Sequence, residues 1–219
     1  MRLNYFLITL LSLFWCTASA DTEKNWYSIE YIIFENNLSP SQSGEPWTGT
    51  PLTQTENPLF IHSENAKSHS IIELSPQQQE LQGVYSRLQK LTSYTPIRHN
   101  GWIQGVQRDS EIIALSILPA IEKNLLQGTI SFHRGRFLHI GLELQLTEAN
   151  DAPQYGADLN IASNNEQATI FRLEESRRVR VDKLNYFDHP RFGVIVKVNK
   201  IDPPYSATPS AHLTDESND

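Results

Sequence analysis

The sequence predicts an α+β fold, an antiparallel sheet of about six or seven strands with one main helix packed on it. Several segments alternate apolar and polar residues with period two, as a strand with one buried face does. The clearest sets Leu138, Ile140, Leu142, Leu144 and Leu146 against His139, Gly141, Glu143 and Gln145. A single segment, after Ser75-Pro76, spaces its apolar residues as a helix does. No repeat at solenoid or propeller spacing runs through the chain.

At the start, Arg2 precedes an apolar run from Leu3 to Trp15 and a small-residue end, Ala18-Ser19-Ala20. This is the pattern of a cleavable signal peptide over residues 1–20. The run is shorter than the roughly 20 residues of a membrane helix, and no later segment approaches that length, so an exported chain without a membrane span is expected. Cys16, the only cysteine, follows Phe14 and Trp15 rather than small residues, which argues against a lipid anchor. Its loss with the leader leaves no thiol for a disulfide, a nucleophile or a metal. Residues 21–201 then make one domain held by its core alone. An export compartment without disulfides fits a bacterial envelope better than a eukaryotic secreted setting.

The segment Trp26–Phe34 puts Tyr27, Ile29, Tyr31 and Ile33 on one face and reads as a strand. Residues 36–57, crowded with Asn, Ser, Pro, Gly and Thr, read as a long loop. Ser75, Pro76 and Gln78 supply a cap, a first-turn proline and a capping-box partner. They start the main helix, Ser75–Thr92, whose stripe of Leu81, Val84, Tyr85, Leu88 and Leu91 should pack on the sheet. Tyr94–Val106 is extended, with Pro96 placing it near an edge or a strand start. Ile112–Leu118 and Gln127–Phe132 are shorter strands, and the leucine-faced strand follows. In Thr169–Val181, Phe171, Leu173, Val179 and Val181 share a face that Glu175 and Arg177 interrupt, so a bulge near Ser176 is expected. Tyr186–Pro190 is turn chemistry, Phe192, Val194, Val196 and Val198 form the last strand, and residues 202–219 form a polar tail expected to fray.

The chain carries 18 Lys plus Arg against 25 Asp plus Glu, so nucleic acid is a poor fit as a partner. From Ala168 to Lys200 the balance reverses, with eight basic residues against Glu174, Glu175, Asp182 and Asp188. No S-x-x-K, G-x-S-x-G or H-E-x-x-H motif occurs, and no catalytic residue, cofactor or metal is predicted. A carboxylate pair for glycoside hydrolysis, such as Glu143 with Glu174 or Glu175, stays open. His133 and His139, six positions apart, would lie about 20 Å apart on one unbroken strand, too far to share a metal. The Asp188-His189-Pro190 run reads as a turn before it reads as part of a dyad.

The ligand-binding candidates are Arg134, Arg136, Arg177, Arg178 and Arg180, with Tyr186 and His189 beside them. Arg presents a planar fork that grips carboxylates at two points, and flat aromatic faces suit sugars and peptides. The competing reading is a solvated strand face, ion-paired to Glu174 and Glu175.

Three segments, WYSIEYIIFE after the leader, HRGRFLHIGLELQL in the middle and FRLEESRRVRVDKLNYFDHPRFGVIVKV near the end, together resemble the CsiV family of exported peptidoglycan-binding proteins. The specificity lies in the joined order of L-x-E-S-R-R-x-R, L-x-Y-F-D-H-P and F-G-V-I-V. The resemblance implies a non-enzymatic periplasmic protein that binds peptidoglycan. It also implies that the protein assists an outer-membrane lipoprotein activator of a bifunctional penicillin-binding protein, supporting cell-wall biogenesis and cell shape. It carries over no catalytic residue. Two alternatives are a protein-interaction module without wall contact and a wall hydrolase using a carboxylate pair.

Overall fold

A computed structural model describes residues 24–37, 58–121, 124–148 and 169–204. The expected signal peptide, the loop beyond position 37 and the tail beyond position 204 lie outside the described residues. Among those described, β1 (Asn25–Asn36), β2 (Ile71–Glu73), β3 (Tyr94–Val106), β8 (Leu184–Asp188) and β9 (Phe192–Ile201) form one antiparallel sheet in the order β2-β3-β1-β9-β8. A second antiparallel sheet is a plain meander of β4 (Ala114–Ile121), β5 (Asn124–Arg134), β6 (Leu138–Glu148) and β7 (Thr169–Arg178).

The two sheets bury their apolar faces on each other. Tyr27, Ile29, Tyr31 and Ile33 of β1 and Phe192, Val194, Val196 and Val198 of β9 share one core with Leu126, Ile130, Ile140, Leu142, Leu144, Leu146, Phe171 and Leu173. Between the layers Tyr27 and Phe132 meet edge to face at 5.3 Å, and Gln104 Nε2 donates to the Phe132 carbonyl at 3.3 Å. Arg191 reaches Glu35 at 3.4 Å and also contacts Glu148, tying the end of the first sheet to β6.

The expected α+β fold, one sheet of six or seven strands under one main helix, is therefore corrected to a mostly β fold of two sheets. Alternation reports that a strand has a buried face, but both layers of a sandwich show the same alternation. The expected helix Ser75–Thr92 shrinks as well. Gln78 Oε1 accepts from the Ser75 N–H at 2.9 Å, as a capping box should, yet only a 3₁₀ turn follows at Pro76–Gln78 and Gln79 returns to extended backbone at ψ 124°. A short helix, α1 (Glu64–Ser68), precedes this turn, and the second helix, α2 (Gln82–Gln89), starts anew after it. The backbone that leads into it is held from a distance, because Glu30 of β1 accepts from Glu80 N at 2.8 Å and from Leu81 N, the helix N-cap, at 2.9 Å. Leu88 of this shorter helix and its N-cap Leu81 lie on Ile32 and Phe34, the outer face of the first sheet.

Glu30 also binds His99 Nε2 at 2.7 Å, and Tyr85 of α2 stacks on that imidazole at 5.0 Å. Burial by itself would raise the Glu30 pKa, but the His99 hydrogen bond and the backbone N–H groups of Leu81 and Glu80 outweigh it and hold the carboxyl below its ordinary value.

Two local readings change too. β6 and β7 pair without a register shift from Glu148↔Thr169 to His139↔Arg178, so there is no bulge at Ser176. Arg177 is tolerated on the core-side parity because its guanidinium sits over the Phe187 ring, 4.1 Å from the centroid. Leu184–Asp188, part of which reads as a turn, is the strand β8, since Phe187 enters the core between the sheets.

Candidate functional site

The hairpin that joins β5 to β6 turns at Gly135–Phe137 and folds His133 back opposite His139. Their rings stack 5.2 Å apart at 10°, which corrects the 20 Å separation of an unbroken strand. His139 Nδ1 lies 3.0 Å from the Phe137 carbonyl, so that nitrogen carries the proton and donates. Arg178 of β7 is in register with His139, and its guanidinium sits 3.8 Å from the centroid of the exposed Phe137 ring. Arg136 approaches the same ring at 5.4 Å. Two cations thus converge on one aromatic ring at the end of the second sheet.

Along the outer face of this sheet the side chains change in cross-strand rows. Next to the His133, His139 and Arg178 row comes Ser131, Gly141 and Ser176, and then Thr129, Glu143 and Glu174. The middle row is nearly bare. A Cβ at Gly141 would lie 2.6 Å from Ser131 Oγ, so the absent side chain keeps the floor low. The result is an open groove of about 480 Å³ lined by Ser131, His133, Gly141, Glu143, Glu174 and Ser176 among others.

The seven candidate residues do not form one site. Arg136 and Arg178 come together. Arg134, half-buried, shares the inward parity of Phe132 at the sheet end. Arg177 projects from the opposite face of its strand to Arg178, over Phe187 and 3.4 Å from Glu175. Arg180 is exposed beyond β7, where Asn185 Oδ1 accepts from its backbone N–H at 3.3 Å. Tyr186 belongs to the first sheet, stacked on Phe34 at 6.1 Å and donating to Asp188 at 2.7 Å; burial first, then that hydrogen bond, push its hydroxyl pKa up. His189 is buried among Phe171 and Phe192, and its Nδ1 accepts from the Arg191 N–H at 3.1 Å.

The Ser131-Gly141-Ser176 floor is not among the sequence-predicted candidates, although the non-leucine parity of β6 carries Gly141 between His139 and Glu143 in plain view.

A family model described as "Peptidoglycan-binding protein, CsiV" matches residues 6–201. The chain belongs to the CsiV family. The span that places it in the CsiV family takes in both sheets, the hairpin and the groove. No curated protein and no solved structure matches the chain. Among the described residues no helix is long and apolar enough to cross a membrane, and no group of three or more His, Cys, Asp or Glu is placed to hold a metal.

Burial, more than His139, holds the His133 pKa below its ordinary 6.5, and burial does the same for His189 against the opposing pull of Asp188. Below pH 6.5 the unfolded chain then binds more protons than the folded one, so stability declines as pH falls from 6.5 towards the folded values. The urea midpoint should be lower at pH 5.5 than at pH 7.5, about one unit either side of 6.5. Equal midpoints would mean that both rings take up protons freely in the folded state.

Proposed function

We propose that this chain is a non-enzymatic periplasmic protein that holds peptidoglycan at the cationic end of its second sheet. From there it assists an outer-membrane lipoprotein activator of a bifunctional penicillin-binding protein. The observation that carries the reading is the convergence of Arg136 and Arg178 on the exposed Phe137 ring, in a chain whose family is described as peptidoglycan-binding. Wall peptides bear free carboxylates, for which a guanidinium fork is the fitting partner. The expected leader over residues 1–20 accounts for export to the compartment where the wall lies.

Retention of the protein on purified sacculi should fall with added salt, since the cluster is exposed. The double variant Arg136→Ala, Arg178→Ala should lose about tenfold in retention, roughly 1.4 kcal/mol, and most of the salt dependence. Arg177→Ala should cost much less than Arg178→Ala, because its guanidinium is spent on Phe187 and Glu175. Unchanged retention by the double variant, together with lost capture of the lipoprotein, would favour the pure interaction module instead.

One observation favours a second reading. Glu143 of β6 lies directly opposite Glu174 of β7, a neighbouring carboxylate pair on the outer face. A glycosidase acid, however, needs an environment that keeps one carboxyl protonated, and both of these are exposed. Sacculi incubated with the protein should release no soluble fragments; their appearance, and its loss in Glu174→Gln, would establish the hydrolase.

A further inference from the structure

The outer groove of the second sheet segregates charge. Its floor, Ser131, Gly141 and Ser176, is bordered on one side by Thr129, Glu143 and Glu174 and on the other by His133, whose cross-strand row continues through His139 to Arg178 just beyond the groove lining. The flanking rows are four residues apart along each strand, about 13 Å between their Cα atoms. We infer that this groove binds the peptide stem of the wall polymer rather than its glycan, with a stem carboxylate on the Arg178 side and the free ammonium of the stem's diamino acid on the Glu174 side. The inference rests on the reading that the chain binds the wall, and narrows it to one part of the polymer.

Three features favour a zwitterionic peptide. A neutral sugar strand gains little from opposed charged walls, whereas a peptide carrying both signs satisfies both at once. Sugar sites lean on flat aromatic platforms, and among the described residues the groove lining holds no Phe, Tyr or Trp, the exposed Phe137 ring lying outside it beneath Arg178. The low floor admits an extended backbone, and the Ser131 and Ser176 hydroxyls that border Gly141 can both donate to and accept from its amides. The anionic wall is available to a ligand, because the Glu174 carboxylate is 69% exposed and met only loosely by Arg172 at 3.4 Å, an ion pair of little worth in water.

The test is an amide-shift titration of the isotope-labelled full chain with two soluble probes. One is a stem tripeptide with free carboxylates and a diamino-acid ammonium; the other is a stem-free glycan oligosaccharide. The tripeptide should move the amides of Ser131, Gly141 and Ser176 and their neighbours, and the glycan should not. Ser176→Phe, which fills the groove from an exposed position, should abolish tripeptide binding without changing the melting temperature, and Glu174→Lys should weaken it at least tenfold. Sacculi stripped of their stems by an amidase should no longer retain the protein. If stripped sacculi retain it as well as intact ones, or the glycan moves the groove amides while the tripeptide does not, stem recognition is overturned and wall binding stands. If intact sacculi fail to retain the wild-type protein, both readings fall.

Discussion

Glu30→Ala should destabilise the fold by about 3–5 kcal/mol, the usual cost of breaking a buried, hydrogen-bonded charged contact by removing one partner. In a domain of this size that lowers the melting temperature by roughly 6–20 °C. The carboxylate is 4% exposed and joins three elements: its own strand β1, the Glu80 and Leu81 N–H groups ahead of α2, and His99 of β3. Truncation would strand the two N–H groups ahead of α2 and a buried imidazole at once, and would loosen α2 from Ile32 and Phe34. Glu30→Gln, which keeps an acceptor oxygen without the charge, should cost distinctly less. Because the folded Glu30 pKa lies below its ordinary 4.5, its stabilisation is present above pH 4.5 and is lost as pH falls through the folded value. The Ala variant should therefore show a shallower loss of stability in acid than the wild type. A melting temperature within about 2 °C of wild type would mean that Glu30 does not organise this layer.

Gly128→Ala is the second large effect. Gly128 has φ of +136°, and a Cβ there would sit 2.0 Å from the Glu143 carbonyl oxygen and 2.9 Å from Leu144 Cα. Those atoms are backbone of the central strand β6 and cannot step aside as a flexible side chain would. The conformational penalty and the displaced pairing together should exceed about 3 kcal/mol. The position follows from its neighbour. Ile117 pairs with Gly128, but the next pairing is Ala120 with Leu126, so β4 gains a residue over β5 in a shift that contains Pro119. Proline has no N–H to give the ladder, and glycine absorbs the altered course of the partner strand. The disturbance falls beside Glu143, so the anionic side of the groove should be lost with it. Urea unfolding measures the cost, and an unchanged midpoint would show that Gly128 does not hold this backbone in solution.

Some parts of this architecture were legible in the residues. The inward faces of β1, β6 and β9 follow from Tyr27 to Ile33, Leu138 to Leu146 and Phe192 to Val198, because a strand's two faces are set by position parity alone. The basic island around Arg177 and Arg178 was equally visible, but its organisation was not. Adjacent residues on a strand point to opposite faces, so Arg177 and Arg178 part company, and Tyr186 falls in the other sheet altogether. Ser75, Pro76 and Gln78 form a sound local helix start, and the sequence pattern therefore extends further than the helix does. What ends that turn and begins α2 is a carboxylate fifty positions earlier in the chain.

The sequence by itself determined which residues face inward along each strand, where the basic charge gathers, and membership of the CsiV family, because these reside in local order. Only the tertiary structure decided that β1 takes β9 as a neighbour, that His133 meets His139, and that Ser131, Gly141 and Ser176 line up as a groove floor. Cross-strand neighbours are set by register, and register depends on which faces bury together across the whole chain, a quantity that no short window of residues contains.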